Sequence, residues 1–324
     1  MTIEEIYNLV IKMGIDADFR KNERIKKILQ ERKKKFQNLP QKEKEFFDKE
    51  SLTNPFSDTR ILNIANDKDI KKVLVGIGVS VSEILIATKL KVDLVISHHP
   101  LGVALAGLSE VMDLQAEVLA QYGVPINVAE KLIESRTSEV YRSISPGNHQ
   151  RVVDAAKILG VNLMCAHTPC DNLVANFLKK EIEKRKFEKV GDLLDFFDSI
   201  PEYKIAKKQK VGPTLFAGNR ENYCGKIALT EITGGTEGNP KIYEWLAKNG
   251  IGTIIGMHVS EGHRKEAEKN FLNVLIAGHM SSDSLGVNLF LDELEKQGIQ
   301  IIPCSGLIRF SRIGSIKSIK KLKN

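Results

Sequence analysis

Three short β-branched apolar runs in this chain each end in histidine. Asp93 to Ile96 leads into Ser97, His98 and His99; Asn162 to Ala166 leads into His167; Asn273 to Ala277 leads into Gly278 and His279. Apolar runs bounded by turn residues suit strands of a parallel sheet covered on both faces. In open parallel sheets, ligands sit outside the carboxyl ends of the strands. Histidines that recur there restrict the chain to an α/β architecture with a polar centre at its strand ends, and point to a metal site.

Two of the three tips carry a carboxylate at the same offset. Asp171 follows His167 by four residues in AHTPCDN, and Asp283 follows His279 by four in AGHMSSDS. If each second segment opens a helix, residues four apart share a face, so imidazole and carboxylate can reach one ion. The expected ligand set is His98, His99, Asp171, His279 and Asp283, with His167 close by. That exceeds what one tetrahedral ion needs. Imidazole with carboxylate suits zinc, manganese, iron or nickel, and two ions sharing a carboxylate are the usual hydrolytic arrangement.

A single histidine at a strand end is more often a hydrogen-bonding structural residue than a ligand; the recurrence at three strand ends carries the inference. His98 and His99 pose a separate geometric problem, because adjacent side chains in a regular strand point to opposite faces. Pro100 answers it. Proline biases the preceding residue toward extended backbone and removes a ladder donor, so the strand ends there and a bend can bring both rings to one pocket.

ISHHPLG, AHTPCDN and AGHMSSDSLGVN, in this order, resemble the NIF-three-like proteins, the type 2 homologues of GTP cyclohydrolase 1. The resemblance covers residues 60 to 305 or thereabouts, and the three motifs together are specific. It implies an α/β fold, a dinuclear metal centre and a toroidal homohexamer. The ligand positions it implies fall on His98, His99, Asp171, His279 and Asp283. The family pattern has Glu where this chain has Asp283, and the shorter side chain is expected to favour one ion over bridging two. The stretch from Val103 to about Pro146 is longer than the family's link between its first two motifs, and the first 55 residues have no counterpart.

The composition sets outer bounds. At 324 residues and 42% hydrophobic content the chain can bury a sizeable core in one or two domains. Cys165, Cys170, Cys224 and Cys304 form neither a disulfide framework nor a C-x-x-C pair, which suits a reducing cytosol. Cys165 and Cys170 flank His167 but are disfavoured as ligands. The first residues lack the pattern of a signal peptide, and no run reaches membrane-spanning length, so a cytoplasmic, non-membrane protein is expected. The net charge of +7 is concentrated in Arg20 to Lys35 and Arg309 to Lys323. Without interleaved aromatics these read as solvated faces, and nucleic acid is disfavoured as a partner.

Along the chain, Thr2 and Glu5 form a capping box for a first helix, a second runs through Ile25, Ile28 and Leu29 to Pro40, and a third carries Phe46 and Phe47. Residues 1–55 are thus a helical extension, 56–308 the metal-binding α/β region with a helical insertion at about 103–146, and 309–324 a basic tail. Lys71 to Val79, a helix capped by Ser80 and Glu83, and the Asp93 strand make a βαβ unit. Further strands are expected at Lys226 to Ile232 and Gly252 to Met257. The loop TGGTEGNP fits neither the P-loop nor the dinucleotide fingerprint, so Gly234 and Gly235 read first as a tight turn, with contact to an anionic ligand as the lesser option. His258 ends the Gly252 strand and joins His167 as a candidate general acid or base. His263 lies in a charged helix and is expected to be exposed. Gly147, Asn148 and His149 resemble a tripeptide of calcineurin-like phosphoesterases, whose other motifs this chain lacks.

The functional expectation is a metal-dependent hydrolase acting on a small molecule. The resemblance implies a nucleotide or phosphate-containing substrate. The alternative is a non-catalytic metal-binding scaffold or metal-handling protein that forms a ring oligomer.

Overall fold

The computed structural model describes residues 1–313. The part of the basic tail from residue 314 onward lies outside the described residues. At the N-terminus, Thr2 Oγ1 accepts from the Glu5 amide (3.2 Å) while Glu5 Oε2 accepts from the Thr2 amide (2.9 Å), so the expected capping box starts α1 (Ile3–Ala17). There follow α2 (Asn22–Asn38) and the single-turn α3 (Gln41–Lys44), which closes before the two phenylalanines expected on it.

The first α/β stretch comprises β1 (Arg60–Asn63), β2 (Lys72–Gly76), α4 (Val81–Leu90) and β3 (Leu94–Ser97). Ser80 and Glu83 cap α4 as expected, and β2 and β3 pair in parallel to complete the βαβ unit. The helical insertion is α5 (Gly102–Ala106), α6 (Asp113–Gln121) and α7 (Ile126–Ile144). It is followed by α8 (Arg151–Leu159), which ends at Gly160 in the left-handed region. Next are β4 (Leu163–Cys165), α9 (Thr168–Glu183), α10 (Val190–Ser199) and α11 (Pro201–Lys208). The last third holds β5 (Thr214–Ala217), β6 (Lys226–Glu231), α12 (Ile242–Lys248), β7 (Ile251–Gly256), α13 (Glu261–Lys269), β8 (Asn273–Ile276), α14 (His279–Lys296) and β9 (Gln300–Cys304).

The strands are mainly parallel, as expected, and they divide into two sheets. The first has the order β1-β4-β3-β2-β9 and the second β5-β8-β7-β6; each carries a single antiparallel edge strand, β1 and β5. One face of the first sheet packs Leu74, Val95 and Leu163 against Ile84, Val153 and Ala156 of α4 and α8. Its other face meets α1, α9 and α14 through Ile6, Val10, Val75, Ile96, Phe290 and Leu291. The second sheet packs Ile255 and Leu275 against α9, α10, α11 and α14, and Ile254 and Val274 against α6, α7, α12 and α13. α9 and α14 therefore lie between the sheets and serve both cores.

α1 belongs to this interior. Ile3, Ile6 and Val10 are fully or almost fully buried, and Gly14 lies so close to α9 that a Cβ there would sit 2.6 Å from the Pro169 Cα. His263, expected in solvent, is buried under Tyr243, with its ring bonded to Ser260, because the apolar face of α13 packs on the second sheet. Burial pushes its imidazole down to about 4.

Candidate metal centre

Each histidine-tipped strand delivers its side chains to the seam between the sheets. β3 runs into His98 and His99, where Ser97 Oγ donates to the His99 carbonyl (2.7 Å) while the consecutive amides of His98 and His99 donate to Gly76 and Ile77, a departure from the regular alternation of the ladder. Both rings thus reach one place, their centroids 5.3 Å apart. β4 leads through Ala166 to His167, which precedes α9, and Asp171 follows in the first helical turn. β8 leads through Ala277 and Gly278 to His279, and His279 and Asp283 lie one turn apart at the start of α14.

All five expected ligands converge. His98 Nε2 stands 3.4 Å from Asp171 Oδ1 and 3.6 Å from Asp283 Oδ1. Asp283 Oδ2 lies 3.2 Å from His99 Nε2 and 3.4 Å from His279 Nε2. His167 Nε2 lies 3.8 Å from Asp171 Oδ2, so this ring joins the same cluster. Two sets, His98 with His167 and Asp171, and His98 with His99 and Asp283, keep their donor atoms within 4.8 Å of one another. Donors bound tetrahedrally to one ion at ~2.0–2.2 Å stand ~3.3–3.6 Å apart. The imidazole–carboxylate separations of 3.2 to 3.8 Å bracket that range.

Proton placement supports the fit. His98 Nδ1 lies 3.0 Å from the Ala166 carbonyl, an acceptor only, so Nδ1 carries a proton and Nε2 is the nitrogen turned toward the carboxylates. His167 Nδ1 lies 2.8 Å from Asp58 Oδ2, the carboxylate–imidazole arrangement that orients metal-binding histidines, and Thr168 Oγ1 donates to the same oxygen. Among the described residues, His98 Nε2, Asp171 Oδ1 and Asp283 Oδ1 are buried without a hydrogen bond. Orphaned buried polar atoms are costly, and here they face one another with the lone pairs a cation would use.

The electrostatics follow from burial opposed by charge. Desolvation alone would raise the Asp283 carboxyl, but the surrounding His98, His99 and His279 rings outweigh it and hold the group well below the usual carboxylate range. For His98, burial favours the neutral ring, yet Asp283 and Asp171 raise it well above its ordinary value. Burial prevails at His279, pushed down to about 4, and lowers His99 as well.

His258 stands beside the cluster with its ring centroid 4.5 Å from that of His279, and its Nδ1 lies 3.2 Å from Glu237 Oε2. Glu231, at the end of β6, lines the same cavity; burial pushes its carboxyl up to about 7. His149 lies elsewhere, with its backbone carbonyl on the Gly102 amide at the start of α5. Cys165 and Cys170 are buried near the cluster, and desolvation raises both thiols, which disfavours the thiolate a metal would need.

Asp58, Glu231 and Glu237 were not singled out from the sequence. Asp58 sits in a polar turn that gives no periodic signal and reaches His167 only because β1 pairs antiparallel with β4. Glu237 was visible only as part of the glycine-rich loop.

No protein-family model matches the chain, and no curated protein matches it. Solved structures do. A NIF3 superfamily protein from Sphaerobacter thermophilus superposes with a TM-score of 0.74 at 21% identity, over 95% of this chain and 99% of that one. Reduced HcgD from Methanocaldococcus jannaschii superposes with a TM-score of 0.50 at 18% identity, over 81% of this chain and 94% of that one. The chain has the NIF3-like α/β fold that its three histidine motifs led us to expect, and its buried histidines and aspartates form groups able to hold a metal ion.

Proposed function

We propose that the His–Asp cluster is a dinuclear divalent-metal centre and that the protein is a metal-dependent hydrolase of the kind the NIF-three-like resemblance implies, acting on a nucleotide or another phosphate-containing small molecule. The observation that carries this reading is the set of three buried, unpartnered atoms, His98 Nε2, Asp171 Oδ1 and Asp283 Oδ1, at ligand-to-ligand spacing. His98, His99, Asp171, His279 and Asp283 would hold the ions, with His167 beside them. When bound, divalent ions supply Lewis acidity that polarises a scissile group and acidifies water.

The chain's own groups do the rest. Asp58 fixes the His167 ring through Nδ1, leaving Nε2 toward the cluster. Glu231, with its carboxyl near 7, can hold or release a proton close to neutral pH. His258 is oriented through Nδ1 by Glu237 and fills the corresponding role on the other side.

Replacing Asp171 with Ala should remove most bound metal while leaving secondary structure intact, as read by elemental analysis and circular dichroism. Unchanged metal content would sink the assignment. Turnover of a panel of nucleotides and phosphoesters, with and without added metal, tests the hydrolase.

A second reading has its own support. The cavity at the cluster measures about 20 Å³, room for about one water. A protein that holds or passes on metal, without turnover, fits so small a cavity, and the same panel would then stay silent while metal binds. We also propose the homo-oligomeric ring implied by the resemblance, which light scattering tests. Among the described residues no helix is long and apolar enough to cross a membrane.

A further inference from the structure

The segment after β6 carries a row of amides without acceptors. Among the described residues, the amides of Thr233, Gly234, Gly235 and Thr236 make no hydrogen bond, although Thr233 and Gly234 are buried. Buried backbone donors are nearly always paired. Ile232, Thr233, Gly235, Thr236 and Glu237 line the small cavity together with His167, Asp171, His279 and Asp283, so this row borders the metal centre.

The carbonyls fix which way the amides point. In a planar trans peptide, the carbonyl of one residue and the amide of the next point in opposite directions. Gln115 of α6 donates from Nε2 to the carbonyls of Gly234 (2.8 Å) and Thr236 (2.6 Å), and Arg136 of α7 donates from Nε to the carbonyl of Glu237 (3.2 Å). These carbonyls face the helical insertion, away from the centre, so the amides of Gly235, Glu237 and Gly238 face inward. Two of the three meet a carboxylate there: the Gly238 amide donates to Glu231 Oε2 (3.0 Å), and the Glu237 amide lies beside its own side chain. The third, on Gly235, has no acceptor among the described residues.

Glycine is what this arrangement needs. Gly234 and Gly235 have φ of +85° and +93°, and Cβ atoms on them would stand 2.8 Å from Leu114 Cδ1 and 3.1 Å from Met112 Cγ. Without side chains the segment lies flat on the insertion and turns its backbone to the cavity. At about 20 Å³ the cavity takes a single oxygen atom, not a whole ligand. The rest of a ligand can lie on the solvent side, where the His99, His258 and His279 side chains are 33%, 41% and 39% exposed.

We propose that the Gly235 amide, its peptide held in place by Gln115, binds an anionic oxygen of the substrate's phosphate beside the metal centre. The proposal rests on the metal-centre reading and on the phosphate-containing substrate proposed above. Successive backbone amides in such turns make anion-binding concavities. The nearest carboxylate is already offset, since Glu237 lies between Arg136 Nη2 (3.0 Å) and His258 Nδ1 (3.2 Å).

Inorganic phosphate is titrated into full-length protein, zinc-loaded and metal-free, for the wild type, Gln115→Leu and Val140→Ala, with calorimetry for affinity and hydrogen exchange across residues 232–238. Gln115→Leu removes both donors to the segment; Val140→Ala truncates a buried residue of α7 that makes no bond to it. Phosphate should slow exchange at Gly235 in the zinc-loaded wild type. Gln115→Leu should keep its zinc but bind phosphate about tenfold more weakly, the scale of one hydrogen bond to a charged group. Val140→Ala should melt earlier and bind phosphate as the wild type does. Phosphate that binds without slowing exchange at Gly235 is held by metal alone and overturns the proposal, as does equal weakening in both variants. A wild type that holds zinc but binds no phosphate overturns it too and leaves the metal reading standing. Should the wild type take up no zinc, the metal reading falls, and the metal-free titration decides the amide site: slowed exchange at Gly235 supports it and unchanged exchange overturns it.

Discussion

Asp283 offers one oxygen to His98 at 3.6 Å and the other to His99 and His279 at 3.2 and 3.4 Å, with its side chain almost wholly out of water. Such a residue fits a shared ligand in the centre proposed here, yet it is one methylene shorter than the Glu of the family pattern. That shortens its reach by ~1.5 Å, large against metal–ligand distances that vary by ~0.2 Å. Asp283→Glu should therefore raise occupancy of the second ion in a metal titration. Equal or lower occupancy would mean that the backbone of α14 already places the shorter carboxylate where two ions need it. At this scale the sequence is most readable for chemically uncommon groups. His98, His99, His279, Asp171 and Asp283 could be chosen by residue type and spacing, whereas Asp58 looks like any other polar residue until β1 brings it to His167.

At the scale of elements, the centre depends on two helices meeting between the sheets. α9 carries Asp171 and α14 carries His279 and Asp283, and the two pass close together at Gly286, where a Cβ would stand 2.2 Å from the Cys170 carbonyl oxygen. No rearrangement of a flexible side chain can relieve a clash with backbone. Gly286→Ala should force the helices apart, destabilise the fold by about 1–3 kcal/mol as overpacking does, and lower metal content because Asp171 and Asp283 separate. Thermal melting and elemental analysis read the two effects; a lowered melt with full metal content would show that the ligand geometry tolerates the shift. The repeated motif, an apolar strand, a histidine and a carboxylate four residues on, made these helix starts legible. α11 and β5 were not: both are short, and α11 buries the charged Glu202 beside Tyr203 and Ala206.

For the whole molecule, the two sheets share α9 and α14, and α1 completes the same interior. Ile6 is fully buried against the first sheet and its covering helices. Ile6→Ala should cost about 2–5 kcal/mol, the range for large-to-small changes in a core, and shift the denaturant midpoint accordingly. A change within about 0.5 kcal/mol, typical of surface sites, would mean that α1 is only loosely attached. Amphipathic spacing in the first residues shows that a helix forms and which face it buries, but not what that face is buried against.

That distinction runs through the protein. Strand-ending histidines, caps and glycine stops act over a few residues, so the sequence alone determined an α/β fold with mainly parallel strands and a set of five candidate ligands at their ends. The division of the strands into two sheets and the seam that gathers His167, Glu231 and His258 around those five come from contacts between residues far apart in the chain. Only packing decides such contacts: each apolar face must find a partner, and local periodicity shows that a face exists without showing which other face will cover it.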